Sequence, residues 1–301
     1  MNLRNKLRLS SIVNQWVPPR LLRLIRQRNH YFQPKSIRKS IASNKVFHNI
    51  HQGERCFILA TGPSISGQDL MPLSKETCIS VSDFYLHPSA HEILPKYNVI
   101  APNHAPFRFE SLAKLVDDIN LIYNGRNHLF SGNTNYQYSF SKYITDNPEK
   151  LENNLTLINY QSAPSLDEYN FKDDSLWDIT KTPFAPRTVV YSAIQVAAYM
   201  GFSEIYLLGC DHDYLMRYFN KTFDSTHFYN EEKSSCKEAE VNSEKFLNAV
   251  TLENWFQEYY FRWKQYRLMN EYLKNRGQII YNATDGGMLD VFPRVKLHEI
   301  L

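Results

Sequence analysis

Short apolar runs rich in β-branched residues alternate along the chain with longer segments whose apolar residues return every three or four positions. The runs are 55–60, 77–81, 97–101, 127–131, 155–159, 204–208 and 278–281. This alternation predicts parallel strands joined by covering helices: an α/β protein with a Rossmann-like, doubly wound, mostly parallel sheet. Helices are predicted at 89–94, 109–119 and 189–200, the last ended by Gly201 in the place of a helix-terminating glycine. A long C-terminal helix is predicted over 242–275, where Phe246, Val250, Trp255, Tyr259, Trp263, Tyr266, Met269 and Leu273 form a stripe suited to core packing. Segments 132–154 and 161–186 are polar and rich in Asn, Asp and Pro, and are expected as insertions between strands. The charged stretch 217–241 is a candidate lid loop, because long loops in compact α/β domains tend to cover substrates. No internal repeat is present.

Composition supports one main core. The chain has 301 residues, 43% hydrophobic and 22% charged, a composition that folds. Twenty tyrosines add rings with polar tips suited to packing or to lining a cleft. No run approaches the ~20 apolar residues of a membrane span, and the start lacks a secretory pattern. The expected location is therefore the cytoplasm. Cys56, Cys78 and Cys210 fall in or beside apolar runs without metal-type spacing, and Cys236 lies apart; the first three are expected as buried free thiols.

The net charge of +3 conceals an uneven distribution. Residues 1–45 hold eleven of the 34 basic residues and no acidic one, leaving 23 basic against 31 acidic residues beyond them. Residues 1–45 are thus expected as a basic arm ahead of a domain over 46–301. Within the arm, Val17, Leu21, Leu22, Leu24 and Ile25 interleave with Arg20, Arg23, Arg26 and Arg28 after Pro18 and Pro19, the pattern of a short basic amphipathic helix. Such a helix fits peripheral contact with an anionic membrane surface; a solvated tail or a helix packed on the body fits equally. Nucleic acid is not expected, since no stacking or groove-reading module accompanies the charge.

Candidate chemistry begins at Cys56–Ser64, an apolar strand that runs into Thr61-Gly62-Pro63-Ser64. Ligands of open α/β sheets bind beyond the carboxyl ends of strands, where backbone N–H groups and a helix start can hold phosphate. Gly62 permits close approach, Pro63 sets the turn and Ser64 offers a hydroxyl. The spacing is neither a dinucleotide fingerprint nor a Walker loop. The second motif, 187–214, supplies Arg187, a helix, Gly201, an apolar strand and then Asp211, His212 and Asp213 on the same sheet edge as Gly62. These groups could bind a divalent ion, act as acid or base, or hydrogen-bond a ribose; alternatively Asp211 holds neighbouring loops through their N–H groups.

The order of the Gly-Pro-Ser turn, Asp83-Phe84-Tyr85 after the second strand, Pro102-Asn103 after the third, the Arg187 helix and the Gly209-Cys210-Asp211 strand resembles bacterial lipooligosaccharide sialyltransferases. It is also similar to lipopolysaccharide-core transferases of 3-deoxy-manno-octulosonate and to hydroxymethylpterin diphosphokinase-like domains. The resemblance spans about 55–293. It implies a glycosyltransferase that takes a CMP-activated acidic sugar, with no metal or other cofactor required and a glycan or glycolipid acceptor, on the inner face of the plasma membrane. By position, Thr61, Gly62, Pro63 and Ser64 would hold the nucleotide and its phosphate, Asn103 would lie near the donor, and Arg187 and Ser192 near a carboxylate or phosphate. The chain departs from the family's Gly-Asn-Gly-Pro-Ser in reading Ala60-Thr61-Gly62-Pro63-Ser64, and it has Ser82 where an Asn is expected.

Transfer needs a base for the acceptor hydroxyl and stabilisation of the departing phosphate. His227 is the first candidate base and Asp211 a second catalytic residue; His212 is an alternative on chemistry alone. Tyr214, Tyr218 and Tyr229 are candidate donors to the phosphate. Asn282, Thr284 and the Gly286-Gly287 pair, after the last strand, are expected on a pocket wall. The competing readings are a Mg²⁺-dependent diphosphokinase with Asp211 and Asp213 as metal ligands, and a non-catalytic nucleotide-sugar-binding protein.

Overall fold

The computed structural model describes residues 35–101, 109–134, 138–160, 172–220, 227–230 and 251–301. Its strands are β1 (Arg55–Leu59), β2 (Cys78–Val81), β3 (Tyr97–Ile100), β4 (His128–Gly132), β5 (Asn154–Ile158), β6 (Glu204–Leu208) and β7 (Ile279–Asn282). The described helices are α1 (Lys35–Ser43), α2 (Ala90–Ile93), α3 (Phe109–Tyr123), α4 (Phe140–Asp146), α5 (Val189–Met200), α6 (Tyr214–Asn220), α7 (Leu252–Lys274) and α8 (Leu297–Ile300).

All seven predicted strands form, and they build one parallel sheet in the order β5-β4-β3-β2-β1-β6-β7. The chain winds outward from β1 to β5, then returns to the other side of β1 for β6 and β7. The order therefore reverses between β1 and β6, the place in an open α/β sheet where ligands bind beyond the carboxyl ends of the strands.

Side chains alternate across this sheet, and both faces are covered. Cys56, Ile58, Ile205, Leu207 and Ile280 pack under α5 and α7, against Ala193, Val196, Tyr266, Met269 and Leu273. Phe57, Leu59, Tyr206 and Leu208 face the other way, onto Ile65, Leu73, Ile93 and Leu297, while Leu129 packs with Leu112, Val116 and Ile119 of α3. Burial on both sides is why these strands read as continuous apolar runs rather than alternating ones. A fully buried Ile58 or Leu207 contributes about 1.5–3 kcal/mol to that core. Cys56, Cys78 and Cys210 are buried free thiols, as expected; burial pushes all three well above the ordinary thiol range. Cys236 lies outside the described residues.

Helix ends follow local chemistry. The Thr188 side chain accepts from the Val190 N–H at the start of α5, and Gly201 ends it at φ +88°. Thr251 and Asn254 form a reciprocal capping box at the start of α7. Thr251 is extended and α7 begins at Leu252; the part of the expected helix over 242–250 lies outside the described residues. The insertion expected over 132–154 contains α4, capped by Ser139. The charged segment from 217 begins inside α6. Helix α1 belongs to the body ahead of the boundary expected at residue 45: Ile41 is buried, and Asn44 Nδ2 donates to the carbonyls of Leu157 and Ile179. The amphipathic pattern at 17–28 lies outside the described residues. No helix among the described residues is long and apolar enough to cross a membrane.

Candidate active site at the strand reversal

Leu59 pairs with Leu208 at the carboxyl ends of β1 and β6, so the two following turns leave the sheet side by side. Backbone bonds continue the pairing past the strands, from Ala60 N to Leu208 O and from Gly62 N to Gly209 O, each at 2.9 Å. A Cβ on Gly62 would meet the Asp211 carboxylate and the Gly209 carbonyl. Glycine is required at this position because another turn of the same chain approaches it.

Asp211 fills that approach. Its Oδ2 accepts from Ser64 Oγ at 2.9 Å and its Oδ1 from Ser64 N at 3.3 Å. Its own carbonyl accepts from Met288 N at 2.7 Å, and a Cβ on Gly287, at φ +72°, would lie 2.7 Å from the same oxygen. The residue is 7% exposed. Asp211 thus fastens the turns after β1, β6 and β7 together, which is the loop-holding reading of this carboxylate.

The crevice above is a cavity of about 220 Å³. Thr61, Gly62 and Ser82 line one side, Arg187 and Thr188–Val190 at the amino end of α5 another, and Asp211–Tyr214 the floor; His227 and Arg262 complete it. The α5 amino end offers the positive end of a helix dipole, with the Val190 and Tyr191 N–H groups already bonded to Thr188. Ser82 and His212 both sit at positive φ, +48° and +49°, a conformation costly for residues with a Cβ and concentrated at functional sites. Asn adopts it more readily than Ser, which gives a backbone reason for the Asn expected at position 82.

Segment 227–230 docks on the turn after β1. Phe228 N donates to Thr61 O at 3.0 Å, and its ring meets His87 and Phe84 edge-on, with centroids 5.0 and 6.1 Å away. Docking brings His227, stacked on Tyr229 at 5.0 Å, to the cavity wall.

His212 is 8% exposed and its Nε2 lies 2.7 Å from the Tyr266 hydroxyl. Burial, with the Arg262 charge in support, lowers the imidazole pKa to about 3. A ring held neutral in this way is a poor choice for the acceptor base. Burial also raises the Tyr214 phenol, so it stays protonated and able to donate. Arg187 is paired with Glu258 at 3.0 Å and lies over Phe261 at 4.7 Å.

Among the residues expected at the site, Thr61, Gly62, Ser82, Arg187, Asp211, Tyr214 and His227 come together at the cavity. Others do not. Pro63 and Ser64 form the 3-10 turn behind Asp211, where the Ser64 hydroxyl is spent on that carboxylate. Ser192 faces the core at 1% exposure. Asn282 uses its amide internally, donating to Leu289 O and accepting from Thr284 N. The Thr284 hydroxyl accepts from Cys210 N, tying β7 to β6, and Thr284 lines a separate groove of about 630 Å³ with Gln68 and Lys296. The carbonyl of Gly286 accepts from Arg294 at 2.6 Å in a surface turn. These positions shape the sheet edge and do not line the cavity. Asn103 lies outside the described residues, as does the Tyr218 side chain.

Arg262 went unrecognised in the sequence because it sits among the polar positions of a helix read as core packing. Its one legible signal is charge beside an aromatic stripe, since its guanidinium lies over Tyr214 at 5.5 Å. Among the described residues no group of three or more His, Cys, Asp or Glu is arranged to hold a metal ion. Compared with known proteins, the chain matches no family model and no curated protein.

Proposed function

We propose that the chain is a glycosyltransferase that uses a CMP-activated acidic sugar, built for surface-glycan or lipopolysaccharide assembly. The observation that carries this reading is the convergence, at the strand reversal, of two guanidinium groups, the amino end of α5 and an imidazole on a docked loop. Cations and a helix amino end suit the phosphate and carboxylate of such a donor. The docked imidazole suits a base at the edge of the donor pocket.

In this reading the acceptor hydroxyl oxygen forms a bond to the anomeric carbon as the bond from that carbon to the phosphate oxygen breaks. The bonding pair leaves with the CMP phosphate, and His227 takes the hydroxyl proton. The protonated Tyr214 phenol and the guanidinium groups meet the charge growing on the phosphate. Asp211 acts as a positioning residue, because its carboxylate is engaged by Ser64. That engagement also counts against the diphosphokinase reading, which needs Asp211 for a metal. A glycolipid acceptor would suit the basic amphipathic pattern over residues 17–28, at an anionic membrane surface.

The test is calorimetric binding of CMP, CDP, UDP and ATP, each with and without Mg²⁺. Metal-independent CMP binding supports the transferase and justifies assaying CMP-activated acidic sugars. ATP binding that requires Mg²⁺, with CMP silent, sinks it.

A further inference from the structure

Arg187 and Arg262 both line the cavity, but their charges are differently compensated. Arg187 faces Glu258, with contacts of 3.1 and 3.0 Å to the two carboxylate oxygens, and stacks on Phe261. Arg262 makes no ion pair among the described residues; its guanidinium lies over the Tyr214 ring. Its Nε–H is buried with no acceptor among them. A buried guanidinium N–H without an acceptor carries a desolvation cost that an oxyanion in the cavity would offset.

His212 supplies a second group of this kind. The residue lines the cavity at 8% exposure, its ring packs against Tyr266 and Trp263 with Nε2 engaged by the Tyr266 hydroxyl, and Nδ1 is buried with no partner among the described residues. Because burial keeps the imidazole neutral, an Nε2 that accepts from the Tyr266 hydroxyl leaves the ring proton on Nδ1 as a donor. Thr188–Val190, at the amino end of the twelve-residue α5, line the same cavity.

We propose that Arg262 and His212, with the amino end of α5, form an oxyanion subsite, and that Arg262 rather than Arg187 is its principal charge. The Arg262 Nε–H and the His212 Nδ1–H, both occluded from solvent, become its side-chain donors when the adjoining side chains shift on binding. The oxyanion is a carboxylate or a phosphate group of the bound ligand; its place in a CMP-sugar rests on the function proposed above.

The experiment is calorimetry on the full chain and on Arg262→Gln, Arg262→Lys, His212→Phe and Arg187→Gln, with thermal unfolding as the check that each folds. The probes are inorganic pyrophosphate, CMP against cytidine, and N-acetylneuraminate against its methyl ester. A phosphate subsite shows as an advantage of CMP over cytidine, and a carboxylate subsite as an advantage of the free acid over its ester. Arg262→Gln is expected to weaken the favoured anionic probe about 10- to 100-fold, the size of a lost charge-assisted hydrogen bond. His212→Phe should weaken the same probe, and Arg187→Gln should cost less than Arg262→Gln. If Arg262→Gln does not fold, Arg262→Lys carries the comparison, since it keeps the charge and loses the Nε–H. Wild-type affinity in the folded Arg262 variants overturns the proposal, as does a larger loss in Arg187→Gln or no binding of any probe. Pyrophosphate binding that depends on Arg262, with CMP silent, supports the subsite and sinks the transferase. CMP binding that ignores Arg262 does the reverse.

Discussion

Ser64 and Asp211, 147 residues apart in sequence, are joined by two hydrogen bonds, Oγ to Oδ2 at 2.9 Å and N to Oδ1 at 3.3 Å. Through them the turn after β1 is locked to the turn after β6, at the point where the sheet reverses its order. Ser64→Ala and Asp211→Ala should therefore be non-additive. A double-mutant cycle in urea is expected to give a coupling of about 1–3 kcal/mol, and additive single effects would show that the lock contributes nothing.

Gly62 lies against this lock. Gly62→Ala must displace either the Asp211 carboxylate or the Gly209 backbone, at a cost of about 1–3 kcal/mol for an overpacked site. The denaturation midpoint should fall accordingly. Asp211→Ala in the same chain removes the carboxylate part of the clash, so the double variant should lose less than the sum of the two.

The His227 loop is held by Phe228 on Thr61, Phe84 and His87. If the proposed transfer holds, His227→Ala should lower it by about 10²–10⁴-fold, the usual worth of a general base, while CMP affinity changes little. Phe228→Ala should lower kcat and also cost some stability, because the ring both holds the loop and packs against the core at Phe84. A His227→Ala variant with wild-type turnover would remove His227 from the proposed base role.

The buried His212 makes stability depend on pH. Its folded pKa, lowered to about 3, lies below the value near 6.5 of an unfolded chain, so between these values the unfolded state holds more protons. Stability contributed by the neutral ring is present above about pH 6.5, falls with pH, and is lost by about pH 3. From pH 7 to pH 5 the ring accounts for a loss of about 2 kcal/mol. His212→Gln should show a shallower decline over that interval in urea titrations at the two pH values; parallel declines would place the proton uptake elsewhere.

The basic arm predicts membrane affinity. Replacing Arg20, Arg23, Arg26 and Arg28 by Gln should reduce co-sedimentation of the chain with phosphatidylserine vesicles by several-fold and leave nucleotide binding intact. Equal binding to neutral vesicles before and after replacement would assign the arm another role.

Seven strands, helix α5 and its ending at Gly201 were legible in the sequence, because each is a local matter of apolar period, β-branched content and a glycine at positive φ. So was the meeting of the Gly62 and Asp211 turns, which follows once parallel strands put their carboxyl ends on one edge. The uses of individual side chains there were not legible. Ser64, Asn282 and Thr284 read as ligand-binding hydroxyl and amide groups, yet each is consumed by a backbone or carboxylate partner that only the folded sheet brings within reach. Ser192 lies on the core-facing side of α5, a matter of helix rotation. Arg262 is the converse: an unremarkable polar position along an aromatic helix, turned by the packing of α7 into the cavity. Sequence patterns determined the elements and the edge of the sheet where the site lies, since these depend on spacing along the chain. Which side chains face the cavity, and which are used up holding its walls, depends on distances across the chain, and only the tertiary structure decided that.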